Sequence, residues 1–264
     1  MGLFDKKYCD VCGEKIGLLG NRKLEDGNLC KNCAKKLSPW FEERRHSTVD
    51  EIKQQLQYRE DNRTRAAQFS ASRTMGDSTK VLINETHRWL TVTSARNLAE
   101  ANPDILDYQC VTGCRMDIDE NRTELKHDGP DGKQVSYNPP RYRHNYNFYI
   151  IINVNTPYFD EMRFRLNTGS IEVEQGVSTG VGGSFGRLLN NLASSGFDPM
   201  NDASYRNYYE MAQEICEVVK NLRNESAPAP SAPAAAPVGP WHCPACGAEN
   251  NGKFCESCGT RRPQ

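Results

Sequence analysis

Apolar positions in the middle of the chain fall at two-residue steps, and those flanking it fall at helical steps. "MRFRLN" (residues 162–167) places Met162, Phe164 and Leu166 on one face, and "SIEVE" (170–174) alternates in the same way. "YNFYIIINVN" (146–155) is rich in β-branched and aromatic residues and predicts the strongest strand, ended by Asn155-Thr156-Pro157. Shorter β-type runs are "KVLIN" (80–84), "HRWLTVT" (87–93), "ILDYQCVT" (105–112) and "CRMDID" (114–119), and "HDGPDG" (127–132) has the chemistry of a tight turn. Residues 205–222 put Tyr205, Tyr208, Ala212, Ile215, Val219 and Leu222 three or four apart, the stripe of an amphipathic helix packed on an apolar neighbour. A second helix is expected over 49–67. Thr48 and Glu51 stand at capping-box spacing, Val49, Ile52 and Leu56 recur at helical intervals, and no Gly or Pro intervenes before Gly76. Its narrow apolar stripe suits a connector that leans on a neighbour.

About seven short strands followed by one helix predict an α+β domain: an antiparallel sheet or barrel capped by a C-terminal helix, over 79–223. This element order resembles bacterial pleckstrin-homology (PH)-like domains, whose bent seven-stranded sheet is closed at a corner by the last helix. The chain departs from the eukaryotic pattern in carrying tyrosines where that helix usually has a Trp. It also carries a Gly/Ser-rich insertion at 175–203. Within it, "STGVGGSFGRLL" has neither the Gly-Lys-Ser/Thr of a phosphate loop nor the third glycine of a dinucleotide fingerprint, since Phe185 stands there.

The cysteines change the picture at both ends. Of 11, eight form Cys-x-x-Cys pairs. Cys9/Cys12 and Cys30/Cys33 are 17 residues apart, and Cys243/Cys246 and Cys255/Cys258 are eight apart. Two such pairs offer the four thiolates of a closed tetrahedral zinc site, whereas a thioredoxin-type redox site needs one pair in a strand-to-helix setting. In the first cluster a hairpin turning at Asp26-Gly27 joins the pairs and a helix follows Cys33, the order of a treble clef; this module spans 1–40. The second, at 241–264, is a zinc ribbon, in which a Gly after each second cysteine (Gly247, Gly259) supplies the positive φ of the knuckle. Two structural zinc ions are thus expected, and closed four-thiolate sites leave no coordination position for catalysis. Cys110, Cys114 and Cys216 read as small buried apolar residues.

Residues 41–78 are charge-mixed and act as the connector. Residues 224–240, with five prolines, form an extended linker. The net charge of −1 excludes bulk polyanion binding. The N-terminal module holds eight basic and five acidic residues, and residues 79–222 hold 14 against 19, so the balance argues against nucleic acid. Arg141, Arg143 and His144 form the middle domain's local basic patch, read as solvated arginines rather than a lipid-headgroup pocket. No signal-peptide core or membrane span is evident, Lys6 does not fit an acylation motif, and a cytoplasmic location is expected.

"YCDVCGEKIGLLGNRKLEDGNLCKNCAKKL" (8–37) resembles a bacterial zinc domain of unknown function found at the N-terminus of cytosolic proteins, mostly from Firmicutes. The resemblance rests on both pairs, the Ile-Gly-Leu-Leu between them and the Asp-Gly before Cys30. It implies zinc and no activity. The expected role is that of a non-enzymatic adaptor for a protein or peptide partner. The alternatives are a transcription-linked nucleic-acid binder and an enzyme that uses 175–203 as a lid; the oligomeric state is left open.

Overall fold

Two two-stranded hairpins and one helical turn open the chain: β1 (Lys7–Tyr8) with β2 (Lys15–Ile16), β3 (Arg22–Lys23) with β4 (Asn28–Leu29), then α1 (Lys31–Ala34). The computed structural model describes residues 6–174, 197–226, 241–250 and 257–258, with the backbone alone at 223–226. Ile16, Leu24, Leu29 and Leu37 pack around the first cysteines, and Ile52 completes that core from the next helix, with Val49 and Leu56 beside it. The packed unit therefore continues past the expected boundary at 40, because so small a module lacks enough apolar surface of its own.

That helix is α2 (Val49–Gln68). The capping box forms: Glu51 N–H donates to the Thr48 hydroxyl, and Thr48 N–H donates to the Glu51 carboxylate at 2.7 Å. Asp26 accepts the Val49 N–H at 2.8 Å, tying the β3–β4 turn to the helix start. The buried face runs Ile52, Gln55, Arg59, Asn62, Ala66. It is apolar at both ends and polar between. Ile52 serves the cysteine module, while Ala66 packs with Phe69, Leu82 and Ile105 on the sheet domain. The narrow stripe in the sequence reflects this double duty.

A four-stranded antiparallel meander follows, β5 (Arg73–Gly76), β6 (Lys80–Asn84), β7 (Trp89–Thr93) and β8 (Leu106–Asp107), with α3 (Leu98–Ala101) between β7 and β8. Its first strand lies inside the stretch expected as connector, ahead of the boundary at 79. The single strand expected at 105–112 is broken by a 3-10 turn at Tyr108–Cys110, where the Tyr108 ring is buried and its hydroxyl donates to the Asn84 carbonyl.

The second sheet is built on β10 (Gln134–Val154). β9 (Val111–Asp128) pairs along it on one side; β12 (Ile171–Glu174) and β11 (Glu161–Arg165) pair on the other, at residues 143–146 and 149–153. Alternate residues Tyr146, Phe148, Ile150, Ile152 and Val154 point into one core with Val81, Ile83 and Leu90 of the first sheet. Helix α4 (Ala203–Ser226) closes it through Tyr205, Ala212, Ile215, Val219 and Leu222. The chain is thus a mixed α and β protein with antiparallel sheets. Most of the Gly/Ser-rich insertion and of the linker, at 175–196 and 227–240, lies outside the described residues.

The C-terminal unit is separate. There β13 (Trp241–His242) pairs with β14 (Glu249–Asn250), and Trp241 and Cys243 are buried against Ala248.

Candidate metal centres

The first centre is assembled by a tight knuckle. Cys9 N–H donates to the Glu14 carbonyl at 2.9 Å and Gly13 N–H to the Cys9 carbonyl at 2.8 Å, which turns the chain within six residues. Gly13 has φ +74°, a left-handed conformation that a Cβ disfavours. The second pair arrives on the other hairpin. Cys30 caps α1 and accepts the Cys33 N–H at 3.3 Å, and Cys30 N–H donates to Cys9 Sγ at 3.3 Å. Asp10 clamps the two halves: its N–H donates to the Asn28 carbonyl at 2.9 Å, and its carboxylate accepts the Asn28 N–H at 2.6 Å.

The result brings Cys9, Cys12, Cys30 and Cys33 together, with all four Sγ atoms within 4.8 Å of one another. Cys12 and Cys30 are 3.7 Å apart. Thiolates about 2.3 Å from one ion at tetrahedral angles lie about 3.8 Å apart, so the donor set fits a four-thiolate metal site and is compatible with zinc. It is too open for a disulfide. Burial pushes the Cys9 thiol up, but the N–H groups of Cys12, Cys30 and Val11 outweigh it and bring it down to about 7. Burial, the Cys12 and Cys30 sulfurs and the charge of Cys9 push Cys33 well up. Four crowded thiols cannot all ionise unaided; a dication in their midst removes that repulsion.

The C-terminal centre repeats the knuckle bond for bond. Cys243 N–H donates to the Ala248 carbonyl at 2.9 Å, Gly247 N–H donates to the Cys243 carbonyl at 2.8 Å, and Gly247 also has φ +74°. Cys243, Cys246 and Cys258 converge, with Cys243 and Cys258 3.5 Å apart. Burial raises the Cys243 thiol, and the Ala245 and Cys246 N–H groups more than offset it, leaving it below its ordinary value. Cys255 and Gly259 lie outside the described residues.

Among the described residues, Cys110, Cys114 and Cys216 gather no further ligand. Cys114 and Cys216 meet in the core at 3.4 Å, joining β9 to α4. The hydrogen bond to Cys216, followed by burial, pushes the Cys114 thiol far up. Cys110 is half-buried at the rim of a cavity of about 290 Å³ between α2 and the β8–β9 corner. Among the described residues no histidine lines this cavity, and its Arg65 is bound to Asp107 at 2.9 Å while lying over the Trp89 ring. Two of the three residues of the middle domain's basic patch face carboxylates, and Arg141 lies over the Tyr137 ring. Arg143 is held by Glu174 at 2.7 Å, and His144 is buried against Glu120 at 2.6 Å. Spacing located the knuckles but gave no sign of Asp10 as a clamp, because its partner is 18 residues away.

A family model described as a domain of unknown function (DUF4428) matches residues 7–55. That range covers both hairpins, α1 and the first turns of α2, the same elements that share the N-terminal core. No curated protein and no solved structure matches the chain.

Proposed function

We propose that the chain is a zinc-folded adaptor in which both metal centres are structural. The observation that carries this reading is the repeated knuckle, with its depressed first thiol and left-handed glycine, set in each module on a two-stranded hairpin of the same register. Cys9, Cys12, Cys30 and Cys33 would hold one zinc in a treble-clef-like module. Cys243, Cys246, Cys255 and Cys258 would hold the other in a ribbon. Each ion would supply folding energy where the apolar core is small. Four sulfur ligands close the coordination sphere, so the ions offer no place for substrate.

Between them, a PH-like domain is the reading that two antiparallel sheets closed by a C-terminal helix support best. Its apolar core runs continuously from both sheets to α4, and Arg143 and His144 of its basic patch face carboxylates, which favours a protein or peptide partner on its surface. Such an adaptor would work in the cytoplasm, with the tethered ribbon adding a second contact at raised local concentration. Native mass spectrometry on Cys9→Ser/Cys12→Ser tests the metal reading: two zinc per wild-type chain, and one in the variant. A quantitative pull-down with and without residues 241–264 tests the adaptor reading; identical partners and affinities would count against it.

A further inference from the structure

The loop between β2 and β3 carries the two most exposed large apolar side chains among the described residues. Leu18 is 92% and Leu19 90% exposed, on a turn closed by Gly20 N–H donating to the Gly17 carbonyl at 3.0 Å. Neither leucine contributes to the module's core, which is filled by Ile16, Leu24, Leu29, Leu37 and Ile52. Arg22 braces the tip by donating to the Leu19 carbonyl at 3.3 Å. Tyr8, 53% exposed, lies in register with Lys15 on the same hairpin.

Behind the tip the side chains are cationic. Residues 15–23 hold Lys15, Arg22 and Lys23 and no acid, and Lys7 pairs across from Ile16. Arg44 donates to the Lys23 carbonyl at 2.7 Å and so adds its guanidinium to that of Arg22, with Arg45 next to it. Arg44 is held below the usual arginine range first by burial and then by the like charges of Arg45 and Arg22. Of the carboxylates in this stretch, Asp10 and Asp26 are occupied by backbone N–H groups. Glu14, Glu25, Glu42 and Glu43 are exposed, and among the described residues none of them pairs with these cations. The cluster thus differs from Arg143, whose charge Glu174 cancels.

We infer that the N-terminal module docks on an anionic lipid surface, inserting Leu18 and Leu19 and holding Lys15, Arg22, Lys23 and Arg44 at the headgroups. A convex two-leucine tip with no apolar surround needs a partner that deforms around it, and a fluid interface does so. The crowded cations behind it need anions at that depth, and phosphate headgroups supply them. Tyr8 stands where an amphipathic ring favours the interface. The inference rests on the metal-folded reading of this module, and metal content measured on the same preparation separates the two failures.

The test is co-sedimentation of the zinc-loaded full chain with vesicles of phosphatidylcholine alone or mixed with phosphatidylglycerol. Binding is expected to the mixed vesicles only and to fall with added salt. Leu18→Ser/Leu19→Ser and, separately, Lys15→Glu/Lys23→Glu are each expected to weaken it by roughly tenfold or more while leaving the metal content intact. All four positions are solvent-exposed, so folding is not at stake. Absence of binding by a chain holding its metal would overturn the proposal, as would equal binding by the leucine variant. It would also fail if the wild type were a dimer that Leu18→Ser/Leu19→Ser converts to monomer, since the tip would then pack on a second copy. Equal loss of duplex DNA binding in both variants, without vesicle binding, would reassign the surface to nucleic acid.

Discussion

Arg59 Nη1 lies 2.7 Å from Asp104 Oδ1, with both side chains buried, at the point where three parts of the fold meet. Arg59 also donates to the carbonyls of Lys36 and Asn102, and Ser38 donates its hydroxyl to the second Asp104 oxygen at 2.9 Å. Asn62 joins the same network through Asn102 and the Pro103 carbonyl. One guanidinium thereby holds the end of the cysteine module, α2 and the loop before β8 in register. A buried pair contributes little beyond an apolar replacement, but removing one partner strands the other, at about 3–5 kcal/mol. Arg59→Met is expected to lose stability on that scale in urea unfolding. Arg59→Met/Asp104→Leu should recover a large part of it, and a double variant as unstable as the single one would refute the account.

The same pair has a pH signature. Burial raises the Asp104 carboxyl, and Arg59 pulls it back without cancelling the rise. A carboxyl whose folded value lies above its unfolded one binds more protons when folded, so its contribution is present below the ordinary carboxylate range and is lost as pH rises through the folded value. Without Arg59 only Ser38 and the backbone oppose burial. The stability deficit of Arg59→Met is therefore expected to be smallest in acid and to deepen toward neutral pH. Chemical unfolding at a series of pH values measures it; a deficit independent of pH would remove the carboxyl from the explanation.

Metal removal should separate the two cysteine modules. Trp241 is buried against Cys243, with Ala248 beside them the only other member of that cluster among the described residues. Structural zinc is worth on the order of 10 kcal/mol to such units, so a chelator should unfold it outright. In a Trp40→Phe/Trp89→Phe background, Trp241 emission is expected to shift to the red with chelator and to return with zinc. The core shared by the two sheets and α4 contains none of the paired cysteines, so far-ultraviolet circular dichroism should keep most of its amplitude.

Gly27 is a close-approach position. A Cβ there would stand 2.5 Å from Val49 Cγ2 and 2.8 Å from the Asp10 carboxylate that clamps the first centre. Gly27→Ala must push either the start of α2 or that clamp aside and is expected to cost about 1–3 kcal/mol. Gly17→Ala, where a Cβ meets nothing within 4 Å, is the control and should be near neutral. Thermal melts of both, with competitive zinc titration, make the comparison. Weakened metal binding in Gly27→Ala alone would tie the clamp to the centre.

These cases show which features are legible in the letters. Knuckles and caps are local: Cys9 to Cys12 and Thr48 to Glu51 are close enough for spacing to dictate geometry. Strand faces are equally legible where one side is buried, as in Met162, Phe164 and Leu166. Arg59 and Asp104 are 45 residues apart, and no local pattern marks a charge that will be buried. Ile52 reads as part of a connector's stripe although it completes another module's core. The extent of β9 and β10 is hidden for the opposite reason. Their outer halves bury neither face, so "NRTELKHD" shows no alternation and strand pairing alone sustains it.

That outer ribbon gives the last prediction. From Glu124 to Tyr142 no residue is buried, and beyond Arg143 the strands pair, among the described residues, only with each other. Thr123 and Arg143 face one another in register, so an Asn-Gly turn can join them directly with residues 124–142 removed. The pairing of Arg143 with Glu174 and of His144 with Glu120 is retained. Since the deleted residues lie outside the core, the shortened chain is expected to unfold within about 1 kcal/mol of the wild type. Urea denaturation checks this, and a larger loss would mean that the ribbon braces the sheet. If stability holds and a partner found by pull-down is lost, the ribbon is the surface by which the middle domain engages it.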